Sequence, residues 1–66
     1  MTGRIKSFSR SHGYGFIECE GQDIFFHATE WKSVIFPREG TEVEFDTRDT
    51  RKGVRALNIR RLDDGE

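Results

Sequence analysis

The sequence predicts an all-β domain, a five-stranded antiparallel Greek-key barrel, and three observations carry that reading. Short stretches alternate apolar and polar residues, the period of a strand with one buried face. Polar, glycine-bearing turns separate those stretches, and no segment sustains helical spacing. With 66 residues the chain has room for one domain spanning 1–66. A chain that short buries only about 60% of the surface its unfolded form exposes, so its core is thin.

Gly3 to Phe8 forms the first strand, with Ile5 inward and, by plain alternation, Ser7 on the same side. The polar run Ser9-Arg10-Ser11-His12-Gly13 turns the chain. Tyr14 to Cys19 alternates well, with Tyr14, Phe16 and Glu18 on one side and Gly15, Ile17 and Cys19 on the other. Glu20-Gly21-Gln22 reads as a hairpin connection, because Gly21 takes the positive φ that tight turns require. Asp23 to His27 is the third strand, and Phe25 and His27 face away from Ile24 and Phe26.

From Ala28 to Gly40 the period is lost, and Pro37 and Gly40 punctuate a long connection with one helical turn near Thr29-Glu30-Trp31. Thr41 to Thr47 alternates again, with Val43 and Phe45 inward and Glu42, Glu44 and Asp46 in water. Arg48 to Gly53 reads as a charged loop, and Val54 to Leu62 as the last strand with Leu57 and Ile59 in the core. Phe26 and Phe45 are assigned to the core, Phe36 to a cap over the barrel end, and Trp31 to packing at the start of the long connection.

Composition excludes some functions. No apolar run approaches membrane-spanning length, and the N-terminus lacks a secretory-type apolar stretch. The single cysteine, Cys19, has no partner for an internal disulfide, and a reducing cytosol is its simplest setting. Cys19 falls in the inward register, where inert packing is the default. His12 and His27, without cysteines or paired carboxylates, make a poor metal set, and no cofactor is indicated. Ser7, Ser9 and Ser11 lie near His12, but nothing supplies an orienting carboxylate or an oxyanion pocket, so an enzyme is not expected.

The net charge of −1 gives no global signature of a nucleic-acid binder. Its distribution is uneven. Acids cluster at Glu42, Glu44 and Asp46 and in the tail at Asp63, Asp64 and Glu66. Lys6, Arg10 and His12 flank the first aromatic run, with Arg48, Arg51, Lys52 and Arg55 further on. That pattern is compatible with one positive face.

The informative feature is the aromatic register. Tyr14, Phe16 and Phe25 occupy the outward side of two adjacent strands, and rings shown to water invite a partner. Unpaired bases suit them, since each base stacked on an aromatic ring contributes about 1–3 kcal/mol whatever its identity. Gly13 and Gly15 flank Tyr14 and let a base approach the backbone closely, while Lys6, His12, His27 and Lys52 are placed to follow phosphates. Against this stands the plainer possibility that surface ring pairs simply stabilise the sheet.

The run Gly13-Tyr14-Gly15-Phe16-Ile17, followed by Asp23-Ile24-Phe25-Phe26-His27, resembles the paired ribonucleoprotein motifs of bacterial cold-shock proteins. Gly3-Arg4-Ile5-Lys6 with Phe8 resembles their first strand. Gly40, Val43-Glu44-Phe45, Gly53, Ala56 and Asn58-Ile59 resemble their last two. The resemblance implies an OB-fold barrel that binds single-stranded RNA and DNA with little sequence preference and acts as an RNA chaperone. Carried over residue by residue, it implies binding positions at Lys6, Phe8, His12, Tyr14, Phe16, Phe25, His27 and Lys52, with Trp31 or Phe36 as additional stacking residues.

The chain departs from the family pattern at four places. Ser7 stands where tryptophan is usual, Ala28 where an aromatic is usual, His12 in place of lysine and Val54 in place of proline. The connection after His27 is shorter than usual. Losing two stacking platforms costs on the order of 2–5 kcal/mol of binding, so weaker or shorter binding is expected. Histidine at position 12 further predicts tighter binding as pH falls from about 7.5 to 6. The competing reading is a protein-interaction or homodimerisation module using the same aromatic face. A monomer is favoured over a strand-exchanged dimer.

Overall fold

In the computed structural model, which describes residues 1–62, five strands and one short 3₁₀ turn follow each other along the chain. They are β1 (Thr2–Ser9), β2 (Tyr14–Cys19), β3 (Gln22–His27), the turn Ala28–Glu30, β4 (Glu42–Thr50) and β5 (Gly53–Arg61). The strands close into a barrel in the order β1-β2-β3-β5-β4. Neighbours pair antiparallel, except that β3 meets β5 through one short parallel contact, Phe25 to Arg55. The tail acids Asp63, Asp64 and Glu66 lie outside the described residues.

The core comprises Ile5, Ile17, Cys19, Ile24, Phe26, Val43, Phe45, Ala56 and Ile59, and in the first four strands these are residues that alternation places inside. The Cys19 thiol donates to the Thr2 carbonyl at 3.2 Å. In the β2–β3 hairpin both central residues, Glu20 and Gly21, take positive φ (53° and 81°). That is the backbone handedness a two-residue turn needs to match the strand twist.

Two irregularities correct the plain alternation. Between Ile5 and Ser7 the β1–β2 register shifts, so Ile5 opposes Ile17 while Ser7 opposes Phe16. A bulge of this kind inserts one residue and turns the following side chain to the other face. Ser7 is therefore exposed rather than inward, and Phe8 leans against the core. A second shift falls between Glu44 and Asp46 on β4, opposite Asn58, which takes a φ of 53°. As a result Ala56, not Leu57, is the buried residue before Ile59, and Leu57 is only half-buried.

Nor is Arg48 to Gly53 a loop. β4 continues to Thr50 and pairs through Arg48–Arg55, Asp49–Val54 and Thr50–Gly53, leaving Arg51 and Lys52 as the turn. Phe36 does not cap the barrel. It is 58% exposed beneath the Arg10 guanidinium, 4.2 Å from the ring centre. Trp31 is half-buried against Phe26, with ring centres 6.4 Å apart, and its indole N–H donates to the Ile35 carbonyl at 2.7 Å.

Candidate nucleic-acid interface

The register of β2 and β3 builds the site. Tyr14 lies opposite His27 and Phe16 opposite Phe25, while the inward partners between them are Gly15 and Phe26. Outward residues of one pair have Cβ atoms about 5 Å apart, close enough for rings to touch. Tyr14 and Phe25 are 5.4 Å apart and tilted by 33°. Phe16 meets Phe25 nearly edge-on at 5.8 Å, and Tyr14 meets Phe16 edge-on at 6.3 Å. Tyr14 is exposed, and Phe16 and Phe25 are half-buried by one another. Edge-to-face pairs contribute about 0.5–1.5 kcal/mol each beyond buried area, so this cluster also holds β2 to β3.

Two histidines border the rings. The His12 ring lies 5.8 Å from that of Tyr14, and its Nδ1 shares a 2.8 Å hydrogen bond with the Ser9 hydroxyl. His27 caps the 3₁₀ turn, where the Thr29 backbone N–H donates to its Nδ1 at 3.2 Å. Because Nδ1 accepts there, the neutral ring carries its hydrogen on Nε2. Across the barrel wall the same outward row continues beyond Phe25 to Arg55, whose guanidinium sits 4.9 Å from the Phe25 ring centre.

His12, Tyr14, Phe16, Phe25 and His27 thus form one patch. Phe8 does not join those rings. It stacks parallel on Phe26 at 5.8 Å with an 8° interplanar angle, beside the core. Lys6 is tied to Asp23 at 2.8 Å, and the hydrogen bond and charge of that carboxylate push its pKa upward. Lys52 lies in the β4–β5 turn, beyond the Arg48–Arg55, Asp49–Val54 and Thr50–Gly53 pairs.

Gly15 has a different purpose from the one its spacing implied. It is buried, and a Cβ there would meet the Ser7 carbonyl and, at 2.9 Å, the Phe26 ring. It makes room for the core and for the bulge in β1, not for a base. Gly13, with a φ of 76°, serves the turn.

Sequence reasoning missed Arg55 and Arg10 as ring partners. No local signal marks either, since the contacts depend on the parallel β3–β5 pairing and on the fold of residues 31–41. The open hollow of about 400 Å³ elsewhere on the barrel is lined by Glu18, Glu20 and Glu42 among others, the wrong sign for a polyanion.

The acids of β4 are kept apart from the rings, while Glu18 and Asp23 face each other at the β2–β3 edge of the ring wall, where Asp23 pairs with Lys6. In the barrel order β4 is two strands from both β2 and β3. On it Glu42 pairs with Arg4 at 3.0 Å and Glu44 with Arg60 at 3.9 Å. A small closed barrel showing clustered rings bordered by cations on one wall fits the class of nucleic-acid-binding β-barrels. Residues 1–62 match the family model described as "'Cold-shock' DNA-binding domain", and the chain belongs to this family of nucleic-acid-binding domains.

Among its relatives are cold shock-like protein CspB of Bacillus cereus, 38% identical over 65 residues, covering 94% of this chain and 100% of that one. Cold shock-like protein CspC of the same organism is 42% identical with the same coverage. A solved structure titled "drosophila Unr CSD456" superposes with a TM-score of 0.79 at 28% identity, covering 98% of this chain and 27% of that one.

Proposed function

We propose that this protein binds single strands of RNA and DNA by stacking bases on Tyr14, Phe16 and Phe25, with little sequence preference, and acts on RNA as a chaperone. The observation that carries the reading is the contiguous outward cluster of three rings, bordered by His12, His27 and Arg55. Bases present flat faces to such rings, and phosphates meet the cations around them. Family membership supports nucleic-acid binding, and the ring cluster supports stacking as its means. Lys6 and Lys52 contribute at the margins of the path. Phe36, exposed beside the β1–β2 turn, is a further platform, whereas Trp31 serves packing.

Ser7 and Ala28 offer no ring, so affinity is expected to fall below that of a chain with aromatics at both positions. Fluorescence titration with a short oligothymidylate tests the reading. Tyr14→Ala and Phe25→Ala are each expected to weaken binding by about 1–3 kcal/mol. Unchanged capture in both folded variants would overturn it. Salt separates strand binding from docking on a protein. Strand affinity falls on a log–log plot by about 0.7 per phosphate contact, and an aromatic protein interface changes little.

A further inference from the structure

The register assembles one outward row across all five strands: Ser7 on β1, Phe16 on β2, Phe25 on β3, Arg55 on β5 and Arg48 on β4. Its middle is aromatic and its far end is two arginines directly opposite each other. Directly opposed residues have Cβ atoms about 5 Å apart, and like charges so placed destabilise a strand pair. Among the described residues no carboxylate forms an ion pair with either, for the ion pairs there are Arg4–Glu42, Lys6–Asp23 and Arg60–Glu44. The neighbouring acids on β4 are turned to other tasks. Asp46 accepts from the Asn58 side chain at 3.4 Å, and Asp49 belongs to the opposite register, across from Val54.

Two facing arginines without an ion-paired carboxylate, one of them on a stacking platform, fit an anion with several oxygens. We propose that Arg48 and Arg55 form a phosphate-binding fork that takes the backbone of a strand whose base lies on Phe25. This inference rests on the single-strand reading above. In the free protein the Arg55 guanidinium covers the Phe25 ring. A base landing on that ring displaces it, and the displaced group stays tethered beside Arg48. Planar guanidinium forks match phosphate oxygens in pairs, which a lysine ammonium does not. The fork thereby continues the path at the end of the row opposite Ser7, where this chain has no ring.

The test compares wild type, Arg48→Gln and Arg48→Lys binding a short oligothymidylate over a salt series, with thermal unfolding of each free protein. Arg48→Gln is expected to weaken binding about three- to tenfold at low salt and to reduce the salt slope by about 0.7. It is also expected to leave the unfolding midpoint equal or higher, because a repulsion is removed. Arg48→Lys is expected to recover the slope but not the full affinity. Should wild type bind while Arg48→Gln matches it in affinity and slope, the fork is refuted and stacking stands. Should wild type fail to bind at all, stacking falls and the fork with it.

Discussion

At Ser7 the outward row carries a small hydroxyl beside the Phe16 position, exposed because of the bulge that precedes it. An aromatic side chain there would extend the ring cluster onto β1 without entering the core. Ser7→Trp is therefore expected to tighten oligothymidylate binding by about 1–3 kcal/mol, measured by calorimetry, with folding intact. Gly15 presents the opposite case. Its missing Cβ is filled by the Phe26 ring and the bulged Ser7 backbone. Gly15→Ala is expected to destabilise the fold by about 1–3 kcal/mol in urea unfolding, the usual cost of forcing atoms into a packed site. Tyr14, Phe16 and Phe25 were legible as outward from period-two alternation alone. The true roles of Ser7 and Gly15 were not, because each depends on a single inserted residue in β1.

At the level of elements, the register of β5 against β4 breaks at Asn58. Its left-handed φ of 53° is one that asparagine tolerates better than most residues. Its backbone N–H donates to the Glu30 carboxylate at 3.0 Å, tying the 3₁₀ turn to the strand. Asn58→Ala is expected to cost about 1–2 kcal/mol of stability in denaturant titration, and Asn58→Gly distinctly less, since glycine adopts that φ freely. Local pattern found all five strands and placed β2 at the residues it occupies. It ended β4 three residues early because Arg48 and Asp49 carry no apolar mark. Their pairing with Arg55 and Val54 is supplied by the hairpin, not by burial.

For the whole molecule, charge is arranged rather than accumulated. A net charge of −1 is compatible with a polyanion partner because β4 holds its acids two strands from the rings and Asp23, at their edge, is paired with Lys6. The Lys6–Asp23 pair marks the edge of the aromatic wall. Its Lys6 pKa is raised, first by the hydrogen bond to Asp23 and then by that carboxylate's charge. A raised folded value means the stabilisation is fully present below the lysine's ordinary 10.5 and is lost as pH climbs through the higher folded value. The difference in unfolding midpoint between wild type and Asp23→Asn is accordingly expected to hold constant at neutral and mildly alkaline pH and to shrink above 10.5. A difference that vanished toward neutral pH instead would contradict the assignment.

By itself the sequence determined which strands exist and most of the residues inside them, since burial of alternate apolar side chains is a local, period-two property. It also placed three rings on one outward side, for the same reason. The bulges that expose Ser7 and bury Ala56 in place of Leu57 lay beyond it. Which cations stand beside those rings was decided only in three dimensions. The parallel meeting of β3 with β5 brings Arg55 onto Phe25, from thirty residues further along the chain. Barrel closure decides which walls are neighbours, and no local pattern encodes that.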